Sequence, residues 1–295
     1  MNVIELKNVH YQHKAFQLND ITFRVPQGFV TGFIGANGAG KTTIIRLIMD
    51  LIEPHDGDIS IFNQKMKNNA VAIKDKTGFV YSELYLNDKW TIKKIENYIA
   101  PFYSRWDHEI FKYYIEKFGL SFNKKIKTFS TGMKMKLSIA IAFSHQAELF
   151  IFDEPTSGLD PIIRNEVLDI IQKELIDERK TVFISTHIIS DLEKIADYLV
   201  YIKDGHIALG DFLDNILKQF QIVKGDPQQI DEELVQLTHY FERNKTGYTA
   251  LTTQANVFYE IFGNSVTITT PTIEDLMVYL EKGTRNNEYD RYENE

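Results

Sequence analysis

The chain has no cysteine in its 295 residues, which excludes disulfides, thiol nucleophiles and thiolate metal sites and suits a reducing compartment. Long apolar runs are missing too. No stretch approaches the roughly 20 residues that cross a bilayer, and the opening Met-Asn-Val-Ile-Glu-Leu-Lys lacks the charged-then-apolar pattern of a leader. Work at a membrane would have to pass through a partner. Positive charge is in deficit: Lys and Arg total 33 against 41 Asp and Glu, a formal net charge of −8. That balance argues against a protein that grips duplex nucleic acid through a broad basic face. Internal repeats, heptad arrays and low-complexity blocks are absent as well. What remains is length enough for one large α/β domain and a small appendage.

Against these absences stands one dense stretch, Gly35-Ala36-Asn37-Gly38-Ala39-Gly40-Lys41-Thr42, followed by Thr43. It fits G-x-x-x-x-G-K-S/T, a loop whose backbone N–H groups wrap a polyphosphate because glycine offers no Cβ to obstruct the approach. The apolar run from Phe29 to Ile34 reads as a buried strand entering the loop, and Thr43 to Met49 as a helix leaving it. The helix N-terminus then adds its positive end to the cradle. Lys41 is expected to reach the β- and γ-phosphates of a nucleoside triphosphate, and the Thr42 hydroxyl to coordinate Mg²⁺.

In chain order, rough alternation over Val3–Val9 and Ile21–Val25 predicts antiparallel strands with one solvated face. Tyr11 follows the first of them and is open to two readings, packing or stacking on an adenine. Lys76 to Glu83 reads as a short strand ending in a carboxylate. Thr91–Tyr103 and His108–Phe118 show helical spacing with many aromatics, which either fill a core or face a partner. Ser130-Thr131-Gly132 opens a further helix, as a plain N-cap or as a second phosphate site. Leu149–Phe152 is a buried strand that delivers Asp153 and Glu154 at its carboxyl end. In a chain with a phosphate loop this is where a Mg²⁺-binding Asp belongs, with Glu154 free to act as general base on a water. Ser157-Gly158-Leu159-Asp160 turns the chain into a helix, and Lys180–Ser185 is another buried strand, ending near His187. A histidine at that sheet edge is placed for a γ-phosphate contact. After Gly210 the strong apolar strands stop. Residues 211–282 read as a small α+β appendage closing on an amphipathic helix over Pro271–Leu280, and 283–295 as a disordered tail.

These pieces, in this order, resemble the ATP-binding subunits of ABC transporters over roughly residues 1–210. The resemblance implies an α/β fold: a P-loop NTPase core of the ABC ATPase type with an antiparallel β subdomain and a helical subdomain at about 86–145. By its motifs Tyr11 is the adenine-stacking aromatic, Gly35–Thr42 the Walker A loop, and Leu149–Asp153 Walker B. Glu154 is then the catalytic carboxylate, Ser157–Asp160 the dimer-coupling D-loop and His187 the switch histidine. Ser130-Thr131-Gly132-Met133-Lys134 stands where the family carries LSGGQ, with Ser130 and Gly132 kept as ATP contacts. Glu83 occupies the place of the usual Mg²⁺-linked glutamine. The cofactors implied are ATP and Mg²⁺. The partners implied are a membrane-spanning permease, gripped by the aromatic segment Trp90–Phe118, and a second ATP-binding subunit, either another copy or a different one, with no nucleic acid. Location at the cytoplasmic face of the membrane follows from the permease. Within the family the chain looks most like bacterial exporters of peptides or antibiotics, including exporters of amphipathic cytolytic peptides. The alternative is a soluble ABC ATPase acting on nucleic acid or ribosomes, but those carry two cassettes or an inserted coiled coil.

Overall fold

The computed structural model describes the backbone of residues 1–174 and 177–292 and the side chains of 1–174 and 177–283. The chain divides into two compact units, Met1–Asp211 and Phe212–Glu295. In chain order the first unit runs β1 (Asn2–His13), β2 (Phe16–Pro26), β3 (Val30–Ile34), α1 (Lys41–Ile48), β4 (Asp56–Ile61), α2 (Met66–Asp75) and β5 (Thr77–Val80). It continues with α3 (Ile92–Ile99), α4 (His108–Lys117), α5 (Thr131–Phe143), β6 (Leu149–Asp153), α6 (Pro161–Glu174), β7 (Thr181–Ser185), α7 (Ile189–Ile195), β8 (Tyr198–Lys203) and β9 (His206–Phe212).

Every residue of β3, β6 and β7 is buried. Continuous apolar runs of this kind are what a parallel sheet covered on both faces requires. The six strands lie in the order β5-β6-β7-β3-β8-β9, parallel from β5 through β8. Register decides where the chemistry falls. Ser185 is opposite Phe33 on one side and Asp153 on the other, so β3, β6 and β7 end side by side and their three outgoing loops share one edge. β9 returns beside β8 through Asp204-Gly205, both at positive φ (47° and 74°), the twist that suits a two-residue hairpin.

The antiparallel sheet, β2-β1-β4, is longer than alternation predicts. Register shifts between Leu6 and Val9 and between Val9 and Tyr11 break the period of two. A bulge flips the faces beyond it, so the alternating pattern stops before the strand does. The expected helical segments are present and capped: Thr91 accepts the Lys94 N–H ahead of α3, and Asp107 accepts those of Glu109 and Ile110 ahead of α4. Their aromatics divide. Phe111 and Tyr114 are buried, whereas Tyr98, Phe102 and Tyr113 are exposed.

The second unit comprises α8 (Leu213–Gln219), β10 (Gln221–Gly225), α9 (Glu232–Val235), β11 (Thr238–Arg243), β12 (Tyr248–Thr252), α10 (Ala255–Phe262), β13 (Thr267–Thr269) and α11 (Ile273–Tyr292). Its antiparallel sheet runs β11-β12-β10-β13 over a core of Val223, Leu234, Tyr248, Ala250, Phe258 and Val266. One difference from expectation is α11, which passes Gly283 and continues to Tyr292, where the composition suggests a disordered tail. Once its first turns are fixed against β11, each added residue forms one more hydrogen bond, so propagation outlasts the apolar face. Residues 293–295 of that expected tail lie outside the described residues.

Candidate nucleotide site

The loop leaving β3 is shaped by its glycines. A Cβ on Gly35 would sit 2.4 Å from the Ile202 carbonyl oxygen, and Gly40 holds φ 118° with Leu18 Cδ2 at 2.6 Å from where its Cβ would be. Only glycine fits both. Gly40 is followed at once by α1, whose first turn has neither a side-chain cap nor an acidic residue. Its leading N–H groups and its dipole are therefore directed at whatever anion the loop encloses.

Lys41 folds back into the loop. Its Nζ donates to the carbonyls of Gly35 (2.7 Å) and Ala36 (3.3 Å) and stands 3.8 Å from Glu154 Oε1. Burial pushes the ammonium below its usual pKa, while Glu154 and Asp153 pull it back up. Asp153, at the end of β6, is 5% exposed and accepts a hydrogen bond from Ser185 Oγ at 2.7 Å. Glu154 follows in a left-handed backbone conformation (φ 53°), with its N–H on the Ser185 carbonyl at 3.0 Å. That sharp turn lifts its carboxylate off the strand, and Oε2 meets His187 Nδ1 at 2.6 Å. Glu154 is thus held between a cation and an imidazole at the mouth of the loop.

Phe16, Asn37, Gly38, Lys41, Glu154 and His187, with Gly40, Thr42 and Thr43, line one cleft of about 470 Å³. A larger crevice of about 670 Å³ lies elsewhere, lined by Arg105, Tyr114, Glu148, Glu174 and Lys180 among others. Its charges answer one another: Arg105 and Glu148 pair at 3.2 Å, and Glu174 takes both Tyr114 and Lys180. It has no phosphate cradle, so size does not select it. No group of three or more His, Cys, Asp or Glu able to hold a metal exists among the described residues. One buried carboxylate and one hydroxyl at the loop end nevertheless fit Mg²⁺, an ion that keeps waters and completes its shell with substrate phosphates.

The fold gathers Gly35–Thr43, Asp153, Glu154 and His187, and leaves other expected residues elsewhere. Tyr11 does not line the cleft. It packs against His55, ring centroids 5.4 Å apart. The aromatic in the cleft is Phe16, because the β1–β2 hairpin turns at Lys14-Ala15 and brings Phe16 to within van der Waals reach of Gly40. Glu83 is exposed and also outside the cleft. β5 ends at Val80, paired with Phe152, and Tyr81 follows at once, near enough to Asp153 to feel its charge. Burial raises the Tyr81 phenol above its usual pKa, and Asp153 adds to the rise. Neither Phe16 nor Tyr81 had a motif to announce it; a strand register was needed. Ser130 caps α5 by accepting the Met133 N–H at 3.2 Å, and neither it nor Gly132 lines the cleft. In the turn Ser157–Asp160, Gly158 adopts φ 71° and Asp160 Oδ1 caps α6 through the Ile162 and Ile163 N–H groups, both at 3.1 Å.

A family model described as ABC transporter matches residues 18–157. The bacitracin transport ATP-binding protein BcrA of Enterococcus faecalis is 33% identical over 208 residues, 70% of this chain and 68% of that protein. The lantibiotic transport ATP-binding protein SrtF of Streptococcus pyogenes is 33% identical over 210 residues, 70% of this chain and 90% of that one. Among solved structures, a dimeric ATP-binding cassette in a post-hydrolysis state with ADP and Pi superposes with a TM-score of 0.63 at 24% identity. That match covers 71% of this chain and 98% of the other.

Proposed function

The chain belongs to the ABC transporter family as an ATP-binding protein with the ABC ATPase fold that hydrolyses ATP, and from that premise we propose that it drives export through a separate membrane subunit. The observation that carries the hydrolytic half is Glu154, held 3.8 Å from Lys41 and 2.6 Å from His187 at the edge where the phosphate loop opens. The N–H groups at the start of α1 and the Lys41 ammonium hold the β- and γ-phosphates of ATP. Thr42 and Asp153 are the residues that would hold Mg²⁺, which when bound would supply positive charge against the phosphates. Glu154 takes the proton of the attacking water, and His187 orients that carboxylate and the γ-phosphate. Ser185 fixes Asp153 by its hydroxyl and the Glu154 backbone by its carbonyl, so both carboxylates keep their separate tasks.

Ser130 and Gly132 stand outside the cleft of their own chain. We assign them to the nucleotide of a second cassette, another copy or a different subunit, with Ser157–Asp160 at the junction. ATP then closes the pair, and hydrolysis opens it. Among the described residues no helix is long and apolar enough to cross a membrane. The exported path therefore belongs to a permease, and the exposed Tyr98, Phe102 and Tyr113 are aromatic anchors of the kind that dominate interfaces. This chain sits against the cytoplasmic face of the membrane through that contact. The relatives named for bacitracin and lantibiotic transport support a peptide or peptide-like antibiotic as cargo. Light scattering of the Glu154→Gln variant with MgATP tests the paired site: a doubling of mass on adding ATP is expected. A monomer at saturating ATP would remove pairing with a second copy and leave a different ATP-binding subunit as the partner.

A further inference from the structure

Asp191 is a charged side chain with 0% exposure, four residues beyond His187, and its side-chain hydrogen bonds go to Thr156 and Arg164, neither of which lines the nucleotide cleft. Its two oxygens are divided. Oδ2 accepts Thr156 Oγ1 at 2.6 Å and Oδ1 accepts Arg164 Nε at 2.5 Å, while Arg164 Nη2 donates to Ser190 Oγ at 2.7 Å. Thr156 stands immediately before the turn Ser157–Asp160, and Arg164 four residues after it on α6. Both ends of the turn are thus tied to one carboxylate on α7. Two residues before Thr156, Glu154 is bonded to His187, which lies just ahead of the same helix. The turn, the general base and the histidine are three arms of a single bracket. Burying an ion pair costs desolvation that an apolar residue would avoid, whereas a satisfied polar network specifies one arrangement of the groups it joins.

Building on the paired-site reading above, we propose that Asp191 is a positioning residue that makes the Ser157–Asp160 turn and the Glu154–His187 pair move as one body. A contact made by a second cassette at the turn is then felt at the base that attacks ATP. Gly132, at the start of the helix that carries Ser130, lies against the same α6, where a Cβ would meet Ile163 Cγ2 at 3.3 Å. The bracket therefore also reaches the segment assigned to the second nucleotide.

The test is a double-mutant cycle on steady-state ATP hydrolysis with Asp191→Asn, His187→Ala and the pair. A displacement of about 1 Å at a reacting group costs on the order of 100-fold. Asp191→Asn is accordingly expected to lower kcat about 10- to 100-fold while KM for ATP stays within about twofold. In the His187→Ala background the same change is expected to cost less than about threefold, because residues acting as one unit are not additive. Thr156→Val, which removes one arm and keeps the shape, is the second variant should Asp191→Asn fail to fold; the same kcat-only loss, smaller in size, is expected. Multiplicative losses in the cycle, or a folded Thr156→Val with unchanged kcat, would overturn the proposal. ATP-driven dimerisation of Glu154→Gln is read separately. Its failure would remove pairing between copies of this chain, while non-additivity in the cycle would still support the bracket within one chain.

Discussion

Replacing Glu154 by Gln keeps the shape of the side chain and a polar contact with His187 but removes the charge that faces Lys41 at 3.8 Å. Two consequences follow, and they differ in sign. As general base, Glu154 is worth about 10²- to 10⁴-fold in rate, or about 3–5 kcal/mol on the barrier, so kcat should fall by that factor. For binding, the lost charge is one that repels the phosphates and attracts Lys41. At an effective dielectric of about 20 the Lys41–Glu154 attraction is about 4 kcal/mol before desolvation, and without it the ammonium is free to answer the γ-phosphate instead. ATP affinity is therefore expected to hold or rise while turnover collapses. The sign also reaches the pH dependence. Glu154 is the larger of the two charges that pull the Lys41 pKa back up against burial. The variant's alkaline limb of ATP binding should consequently begin at lower pH than the wild type's. Phosphate release at saturating MgATP, with equilibrium binding of a fluorescent ATP analogue, reads both halves. Turnover within about threefold of wild type would refute Glu154 as the base, and weakened binding would refute the electrostatic argument.

Phe16→Ala should weaken ATP binding more than Tyr11→Ala, since Phe16 lines the cleft and Tyr11 packs on His55; stacking on a base is worth about 1–3 kcal/mol, and equal losses in equilibrium binding would reverse that assignment. Gly40→Ala forces an alanine to φ 118° against Leu18, which costs about 1–3 kcal/mol; Tm should fall and nucleotide binding be lost together, and an unchanged Tm would contradict the geometry. His145 is buried, stacked on Tyr103 at 3.9 Å, and burial lowers its pKa to about 4 from 6.5. The unfolded chain therefore binds its proton first, so the stability His145 contributes is present above about pH 6.5 and drains away as pH falls toward 4. Thermal melts from pH 7 to 4.5 should lose Tm more steeply in the wild type than in His145→Phe, and parallel curves would refute the shift.

The nucleotide edge was readable because three buried strands are largely apolar and each ends where the composition changes. Ile34 gives way to Gly35, Phe152 to Asp153, and Ser185 to Thr186 and His187. What alternation does not record is a bulge. Beyond Val9 the faces of β1 exchange, so Tyr11 looks well placed in sequence while Phe16, across a tight turn, reaches the cleft. Glu83 stands three residues past the end of β5, exposed and outside the cleft, while Tyr81 follows the strand directly. The Thr156–Asp191–Arg164 bracket was invisible because its members come from three segments and no spacing links them. The second unit offered only short, weakly patterned strands, and its four-stranded order depends on pairings between segments far apart in the chain.

As proposed, this ATPase works as one part of a membrane transporter. The most direct measurement is to purify the tagged chain from detergent-solubilised native membranes and identify its companions by mass spectrometry. A polytopic membrane protein in stoichiometric amount is the result expected, with either this chain alone or a second cassette completing the pair. Recovery only from the soluble fraction, alone or with ribosomes or DNA, would contradict the exporter account.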